Sequence, residues 1–364
     1  MILLTDVHNE HGAQFGKRGG KDVVTQYGRP ERSHRAVRNA AGVIEYGSDI
    51  LTVTGEDRRE FVDNAVSNVV PDADGHGVYS LLLTPQGRIR TDMYIFNAGE
   101  RLLIFLPHGL GKEIAEDWDE KTFIQDVTIE SASDEFARFG VHGPKATEKI
   151  ASVFSAETPR EPLTFSRGSM GDIGVTVIRT DGQTGEEGYD VIAGADDAMY
   201  VFDTLVNRGQ NAAPFGYRTW ESLTLEAGTP LFRSELEDGV PNNLDLDNAV
   251  DFDKGCFVGQ EVVSRVENRG EPTKRLVGLV TEELTTAGAA VFDGDEHAGE
   301  ITRTMESPLR DTPFAFAIVN REIGEKIGED AALSVRADGE EVVATALSLP
   351  FVDGSEESAR LPSL

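Results

Sequence analysis

The chain has 364 residues, with 34 Lys and Arg against 64 Asp and Glu, and therefore a formal net charge of −30. At ~100–200 residues per domain, this length predicts two or three domains. Nucleic acids and anionic lipid surfaces repel a chain of this charge. The composition therefore argues against a nucleic-acid-binding protein and against a protein of the membrane surface.

The basic residues are unevenly divided, since only nine of the 34 are lysines. Few lysines and abundant Asp and Glu predict a salt-adapted, halophilic surface. Molar salt shortens the Debye length to about 3 Å, so that such a surface repels itself little. An acidic protein that works at ordinary ionic strength is the alternative.

Cysteine content and hydropathy indicate in which cellular compartment the protein works. The single cysteine, Cys256, excludes an intrachain disulfide and any multi-cysteine metal site built by this chain alone. The apolar run at residues 1–4 is too short for a signal peptide, and no stretch approaches the ~20 apolar residues of a membrane span. We expect a soluble, cytoplasmic protein.

Apolar periodicity and turn residues predict a mixture of helices and strands before residue 272. Residues 1–30 show no clear period. The predicted helices cover residues 33–41, 61–66, 109–118, 145–154, 198–206 and 217–225. The predicted strands cover residues 50–53, 78–83, 89–96, 101–106, 136–141, 175–179 and 189–192.

The pattern changes after residues 270–273, where short apolar strands alternate with turn signals. These strands cover residues 276–280, 290–292, 301–303, 314–319 and 342–347. Their spacing predicts a small all-β barrel or sandwich. We therefore predict one domain over residues 1–272 and a second over residues 273–364, the latter containing the acidic segment 353–357.

One short segment carries candidate chemistry, residues 253–261 with the sequence DKGCFVGQE. Its two glycines permit close backbone approach or unusual torsions. A lone thiol near a lysine, as in Cys256 and Lys254, can be a reactive thiolate. From the residues alone, a turn that holds an inert, buried cysteine is the simpler interpretation.

The sequence KGCFVGQE in this segment closely resembles the signature of YgfZ-type folate-binding proteins, which are linked to iron–sulfur cluster assembly or repair. These proteins share a folate-binding superfamily with the glycine cleavage T-protein, the aminomethyltransferase. Residues 87–96, 143–146, 179–189 and 225–228 resemble further superfamily motifs in the same order. Together with residues 275–279, which open the last domain, the resemblance covers about residues 33–350, and the acidic composition is haloarchaeal-like. It implies an α+β fold of three subdomains around a central opening, with a C-terminal β-barrel.

The resemblance also implies a ligand, tetrahydrofolate, and a set of residues around it. Asp92 would lie beside the reactive folate nitrogens and stabilise developing positive charge. Glu226 would accept hydrogen bonds from the donor-rich pterin edge, and Tyr189 would lie at the same site. Arg265 and Arg269 form a dense basic run that would hold the anionic folate tail. Cys256 would be functional, and no metal site is expected.

Departures from the superfamily motifs favour different functional hypotheses in different segments. T-proteins usually carry an acidic residue at the position of Cys256 and a Lys or Arg at that of Gln260, so this segment favours a YgfZ-type protein that supports iron–sulfur enzymes. Asp92 and the segment TGEEGY (184–189) instead resemble a T-protein, which works with a lipoylated carrier protein. A scaffold that binds proteins without folate is a third hypothesis. The first is preferred from the sequence.

Overall fold

The computed structural model describes residues 2–325, 332–337 and 339–362, and only the backbone of residues 267–269 and 332. No helix in these residues is both long and apolar enough to cross a membrane. The elements of residues 2–135 are α1 (Thr5–Glu10), β1 (Ala13–Arg18), β2 (Lys21–Tyr27), α2 (Pro30–Asn39), β3 (Gly42–Glu45), β4 (Asp49–Thr54), α3 (Arg58–Ala65), β5 (His76–Leu83), β6 (Ile89–Asn97), β7 (Leu102–Leu106), α4 (Gly111–Asp119) and β8 (Thr128–Ser131).

The remaining elements divide at about residue 272. Before it follow β9 (Phe136–His142), α5 (Ala146–Ala151), β10 (Phe165–Met170), β11 (Ile173–Arg179), β12 (Gly188–Gly194), α6 (Ala198–Asn207), β13 (Ala213–Pro214), α7 (Tyr217–Glu226) and α8 (Gln260–Arg269). After it follow β14 (Lys274–Thr281), β15 (Ala290–Asp293), β16 (Glu296–Ser307), β17 (Thr312–Asn320), α9 (Arg321–Gly324), β18 (Ala332–Ala337) and β19 (Glu340–Leu347).

The first sheet is antiparallel, with the strand order β5-β6-β7-β4-β8. Successive side chains of a strand point to opposite faces of the sheet. Met93 and Ile95 of β6 therefore pack with helices α3 and α4, while Tyr94 and Phe96 face the centre of the molecule. By the same alternation, Asp92 shares the inward face of β6.

The second sheet has the order β10-β11-β12-β9-β3-β13 and is antiparallel except for the pairing of β3 with β13. Helices α5 and α6 cover its outer face, where Ile150 and Phe202 pack with Tyr189 and Val191 of β12. The intervening residues of β12 face the first sheet. The two sheets thus turn their inward faces toward a shared centre.

The N-terminal segment differs from the expectation, because the patternless residues 1–30 form α1 and the antiparallel hairpin β1–β2. The strand register shifts between Gln14 and Phe15, and β1 is at most half-buried. Both features obscure the two-residue alternation by which a strand is recognised. Val23 of β2 packs with helix α7, and the hairpin thereby brings the end of β1 to the centre of the molecule.

The C-terminal strands close into a barrel with the order β14-β17-β16-β15-β18-β19. Small and branched side chains fill its interior, including Leu279, Val291 and Ala317. Strand β16 is much longer than the predicted 301–303 and runs over Glu296–Ser307. The prediction of a small C-terminal β-barrel is confirmed.

A single apolar cluster joins the two sheets and the barrel. The first sheet contributes Tyr94 and Phe96, the second contributes Ile178 and Ile192, and the barrel region contributes Leu276, Phe316 and Phe351. Burial of this shared surface holds the three units together. The predicted fold class, an α+β arrangement with a C-terminal barrel, is therefore confirmed.

Candidate functional site

A cavity of about 700 Å3, including its mouth, opens between the inward face of β6, the end of β7 and helix α7. Aromatic and basic side chains dominate its lining: Arg18, Tyr46, Tyr94, Phe105, Arg138, Tyr217, Trp220, Phe232, Arg233 and Arg360. Among the described residues that line it, Asp92 supplies the carboxylate. A largely aromatic cavity with a few polar groups is typical of a site for a small organic ligand.

Asp92 projects from β6 into this cavity, and only one of its two carboxylate oxygens is hydrogen-bonded to the described residues. Its Oδ2 accepts hydrogen bonds from the Tyr79 hydroxyl at 3.0 Å and from the Arg360 guanidinium at 3.2 Å. Its Oδ1 is buried and has no hydrogen-bond partner among the described residues. Burial raises the pKa of Asp92, against the opposing effect of the Arg360 charge. Since an unsatisfied buried acceptor costs about 1–3 kcal/mol, Oδ1 is suited to accept a hydrogen bond from a ligand.

A second carboxylate with one unpaired oxygen, that of Asp190, lies nearby. It was not predicted as a site residue from the sequence. Its Oδ2 accepts two hydrogen bonds from Arg138, at 2.9 and 2.6 Å, while its buried Oδ1 has no partner within the described part of the chain. Burial raises the pKa of Asp190, and the charge of Arg138 opposes this. Asp190 lines a small adjoining cavity that shares Tyr94, Arg138 and Gln183 with the large one.

The alternation of β12 explains where Tyr189 and Asp190 lie. Tyr189 belongs to the outer face of the sheet, is buried under α5 and α6, and its hydroxyl lies 2.8 Å from Oγ1 of Thr147. The structure therefore places Tyr189 away from the cavity, contrary to the role predicted for it. Its neighbour Asp190 points inward because successive strand residues face opposite ways. The apolar residues at every second position of β12 were the signal for this orientation.

The basic groups at the cavity are not those predicted. Arg265 lies on α8, its side chain is 68% exposed, and it pairs with Glu261 one helical turn earlier. The side chain of Arg269 lies outside the part of the chain that the structure describes. Arg18 and Arg233 line the cavity instead. Each of the two is ion-paired with a glutamate, so an anionic ligand group would compete with those carboxylates for the guanidinium groups.

Glu226 lies at the end of α7, fully buried, with three side-chain partners from two separate segments, α2 and β16. It accepts hydrogen bonds from His34 at 2.9 Å, from Arg38 at 3.0 Å and from Ser307 at 2.6 Å. Burial alone would raise the pKa of Glu226, but His34, Arg38 and Ser307 hold it below its ordinary value. Glu226 is not among the residues that line the cavity of Asp92. The structure thus gives it the position of a link between α2, α7 and the barrel.

The segment 253–261 is built mainly for packing. The Lys254 ammonium donates to three carbonyl oxygens, those of Asp63, Val66 and Asn68, at 2.6–3.0 Å. A lysine has three N–H donors, so these bonds use all of them at the end of α3. Gly259 has φ +84°, and a Cβ there would lie 2.6 Å from the carbonyl oxygen of Thr84. Only glycine fits that contact.

Cys256 is exposed at the surface of this segment and does not line the cavity. Because the Lys254 ammonium is fully engaged with carbonyl groups, it offers no free donor to the thiol. Within the described residues, no cluster of His, Cys, Asp and Glu is arranged to hold a metal ion. The structure does not bring Cys256 together with Asp92.

Two family models match the chain. The GCVT N-terminal domain matches residues 4–254, and the glycine cleavage T-protein C-terminal barrel domain matches residues 274–353. The chain belongs to the glycine cleavage T-protein family. The first matched region contains both Asp92 and Asp190, whereas the second match ends before the C-terminal segment that carries Arg360.

Curated relatives of this T-protein family member extend over nearly its whole length. The aminomethyltransferase of Cutibacterium acnes is 30% identical over 367 residues, which covers 96% of this chain and 97% of that protein. The aminomethyltransferase of Bacillus subtilis is 28% identical and covers 92% of this chain and 94% of that protein. The crystal structure of glycine cleavage system aminomethyltransferase T from Bartonella henselae has a TM-score of 0.86 at 22% identity, covering 97% and 98% of the two chains, which shows a shared fold.

Proposed function

We propose that the chain is an aminomethyltransferase, which transfers a methylene group from an aminomethyl-lipoyl carrier protein to tetrahydrofolate with release of ammonia. The observation that carries this proposal is the free, buried Oδ1 of Asp92 inside an aromatic cavity with basic walls. The aminomethyltransferase relatives favour this function over the YgfZ-type role preferred from the sequence.

The residues present suit tetrahydrofolate. A reduced pterin offers several N–H donors along one edge, and the unpaired oxygens of Asp92 and Asp190 are acceptors for them. Hydrogen bonds to ionised carboxylates are stronger than those between neutral groups. The aromatic walls suit a flat ring, while Arg18 and Arg233 suit the carboxylates of the folate tail. Asp190 and these arginines thus take the parts that the sequence assigned to Glu226, Arg265 and Arg269.

Asp92 would serve the reaction as a fixed negative charge. When a folate nitrogen attacks the methylene carbon, the carbon–sulfur bond breaks and positive charge develops on that nitrogen, whose proton then passes to the lipoyl sulfur. Attack by the second folate nitrogen on the same carbon breaks the carbon–nitrogen bond, and ammonia leaves with the proton of that nitrogen. The ionised carboxylate of Asp92 stabilises the developing positive charge from a buried position, where a preorganised group acts more strongly than it would in water. Tyr79 and Arg360 fix the other oxygen of the carboxylate, so that the group need not reorient during the reaction.

The function can be tested with the purified protein and an aminomethyl-loaded lipoylated carrier. We expect ammonia release that depends on tetrahydrofolate, with one methylene-tetrahydrofolate formed for each ammonia. Omission of tetrahydrofolate and use of an unlipoylated carrier are the controls. A folded protein that releases no ammonia from the loaded carrier would overturn the proposal.

A second candidate function, support of iron–sulfur enzymes, is favoured by the exposed Cys256 within its YgfZ-like segment. Under the main proposal, Cys256→Ala should keep its turnover and tetrahydrofolate affinity, because the thiol does not line the cavity. As a surface change, it should alter the free energy of unfolding by less than about 0.5 kcal/mol. Glycine cleavage assays measure the turnover, calorimetry measures the tetrahydrofolate affinity, and thermal melts measure the stability.

Lys254→Met provides the contrast within the same segment. It removes a buried cap from the end of α3 and should lower the melting temperature, while Cys256→Ala should not. If Cys256→Ala leaves turnover intact but abolishes iron–sulfur enzyme activity in cells, the result supports the second function, with Cys256 as its functional group.

We also propose that the acidic surface is a salt adaptation. Lowering KCl from about 1 M to about 0.1 M lengthens the Debye length from about 3 Å to about 10 Å and exposes the carboxylates to one another. With a net charge of −30, the melting temperature should fall steeply over this range. Thermal melts at several KCl concentrations measure it, and a constant melting temperature would contradict the adaptation.

A further inference from the structure

We propose that Arg360, carried by the C-terminal segment 353–362, is a positioning residue that keeps Asp92 ionised and directs its free oxygen into the cavity. The inference rests on the proposed function, in which Asp92 acts as a carboxylate. It makes the C-terminal segment, defined here as residues 353–362, part of the active site although it belongs to neither sheet nor barrel.

The C-terminal segment is held against the cavity by several specific bonds. The backbone N–H of Glu357 donates to the carbonyl of Gly185 at 3.1 Å, and that of Ala359 donates to the carbonyl of Asp181 at 3.0 Å. The hydroxyl of Ser358 lies 2.6 Å from that of Thr229. These bonds fasten the three residues directly before Arg360 to the walls of the site, so the backbone that carries Arg360 is held in place by the fold.

The Arg360 guanidinium occupies the floor of the cavity. It is 2% exposed and stacks over the ring of Tyr79, with 3.9 Å between the guanidinium carbon and the ring centroid. It lies 3.2 Å from Oδ2 of Asp92 and 3.7 Å from Oδ2 of Asp181, and it donates to the Tyr94 hydroxyl. A buried cation is thus shared between two buried carboxylates.

Among the described residues, Arg360 is the basic group that contacts Asp92 directly. Tyr79 donates a neutral hydrogen bond, Tyr94 is neutral because burial raises its pKa well above the ordinary value, and Asp181 repels the Asp92 charge. Without Arg360, burial and Asp181 would both favour the protonated form of Asp92. A protonated Asp92 could not stabilise positive charge on a folate nitrogen.

The contact also determines which oxygen is free. Arg360 and Tyr79 both engage Oδ2 of Asp92, which leaves Oδ1 without a partner on the cavity side. A bidentate pairing between the guanidinium and the carboxylate would have engaged both oxygens. The arrangement instead holds one oxygen and leaves the other for a ligand.

The pH profile of Arg360→Met tests the inference. Methionine keeps a long side chain over Tyr79 but removes the charge. An opposite charge within ~4–6 Å typically shifts a carboxyl pKa by about 1–3 units. The acidic limb of the kcat profile, which is the pH range over which kcat falls as the solution becomes more acidic, should therefore move to higher pH by about one unit or more. At neutral pH kcat should fall while KM changes less. Arg360→Lys, which retains the charge, should keep the limb near its wild-type position.

Arg303→Met is the matched control, because Arg303 is also buried and paired, with Glu235, but does not line the cavity. It should lose thermal stability without moving the acidic limb. An Arg360→Met protein that is folded and has the wild-type limb would overturn the inference.

Failure of the proposed function would show differently, as absent turnover in the wild-type protein. Calorimetric titrations of tetrahydrofolate across the same pH range then decide the inference independently of turnover. The affinity of Arg360→Met should fall at a higher pH than that of the wild type. Equal pH dependence of the two affinities would overturn the inference.

Discussion

Replacing Asp92 with asparagine is expected to lower the turnover of methylene transfer by about 10²–10³-fold, the usual effect of removing one preorganised electrostatic group. Asparagine has nearly the same shape and keeps one acceptor oxygen, so the partners Tyr79 on β5 and Arg360 can stay in place. What is lost is the negative charge that faces the ligand. The measurement is the rate of tetrahydrofolate-dependent ammonia release from the loaded carrier at saturating substrates.

A control for the Asp92 prediction is Asp74→Asn, which changes an exposed carboxylate paired with Arg167. Exposed ion pairs contribute only about 0–1 kcal/mol to stability, so this variant should keep both its melting temperature and its turnover. A folded Asp92→Asn protein with undiminished turnover would exclude Asp92 from the reaction.

Replacing Glu226 with glutamine is expected to destabilise the protein by about 3 kcal/mol, the lower end of the cost of breaking a buried ion pair. The change removes the charge that faces His34 and Arg38, although Arg38 keeps a second partner, Glu186, at 3.0 Å. Thermal melts measure the loss. Glu113→Gln, in an exposed pair with Arg90, is the matched control and should be nearly neutral.

The stabilisation that Glu226 contributes should decrease as the pH is lowered. The pKa of Glu226 is lower in the folded protein than its ordinary value of 4.5, so its ionised form stabilises the fold. That contribution is complete above the unfolded pKa and is lost as the pH falls through the folded pKa. The gap in stability between wild type and Glu226→Gln should therefore be largest above about pH 4.5 and should shrink in more acidic solution.

The same variant separates the two roles considered for Glu226. A direct pterin contact, as predicted from the sequence, would cost Glu226→Gln about five- to 150-fold in tetrahydrofolate affinity. The position of Glu226 between α2, α7 and the barrel predicts an unchanged affinity in a less stable protein. Calorimetry with tetrahydrofolate, below the melting temperature of the variant, measures which of the two occurs.

Local pattern was enough to predict much of the fold, and the family resemblance added Asp92, which the structure places at the cavity. The alternation along residues 89–96 predicted strand β6, and the central position of Asp92 in it placed a carboxylate in a strand that lines the cavity. The turn-rich residues after 272 predicted the barrel. These features depend on neighbours in the sequence, which is why they could be read from it.

The other cavity residues depend on contacts between distant segments. Arg18 reaches the site through the N-terminal hairpin, and Arg360 reaches it through a C-terminal segment without regular structure. No spacing in the sequence relates either residue to Asp92. Asp190 could have been found, since the alternation of β12 sets it opposite Tyr189.

The segment with the most specific sequence match shows a different limit. In KGCFVGQE, Lys254 caps α3, Phe257 is buried in the central cluster and Gly259 touches the turn after β5. A motif can therefore be recognisable because of packing, without supplying a reactive group. The sequence alone could not separate these cases, because the partners of Lys254 lie nearly 190 residues away.

A crystal structure of the protein with tetrahydrofolate would test the central claim most directly. We predict that the pterin ring occupies the cavity between β6 and α7, with its N–H donors within hydrogen-bond distance of Oδ1 of Asp92 and Oδ1 of Asp190, and with the folate tail near Arg18 and Arg233. A pterin ring bound elsewhere, such as beside His34 and Glu226, would contradict the assignment of this cavity as the folate site.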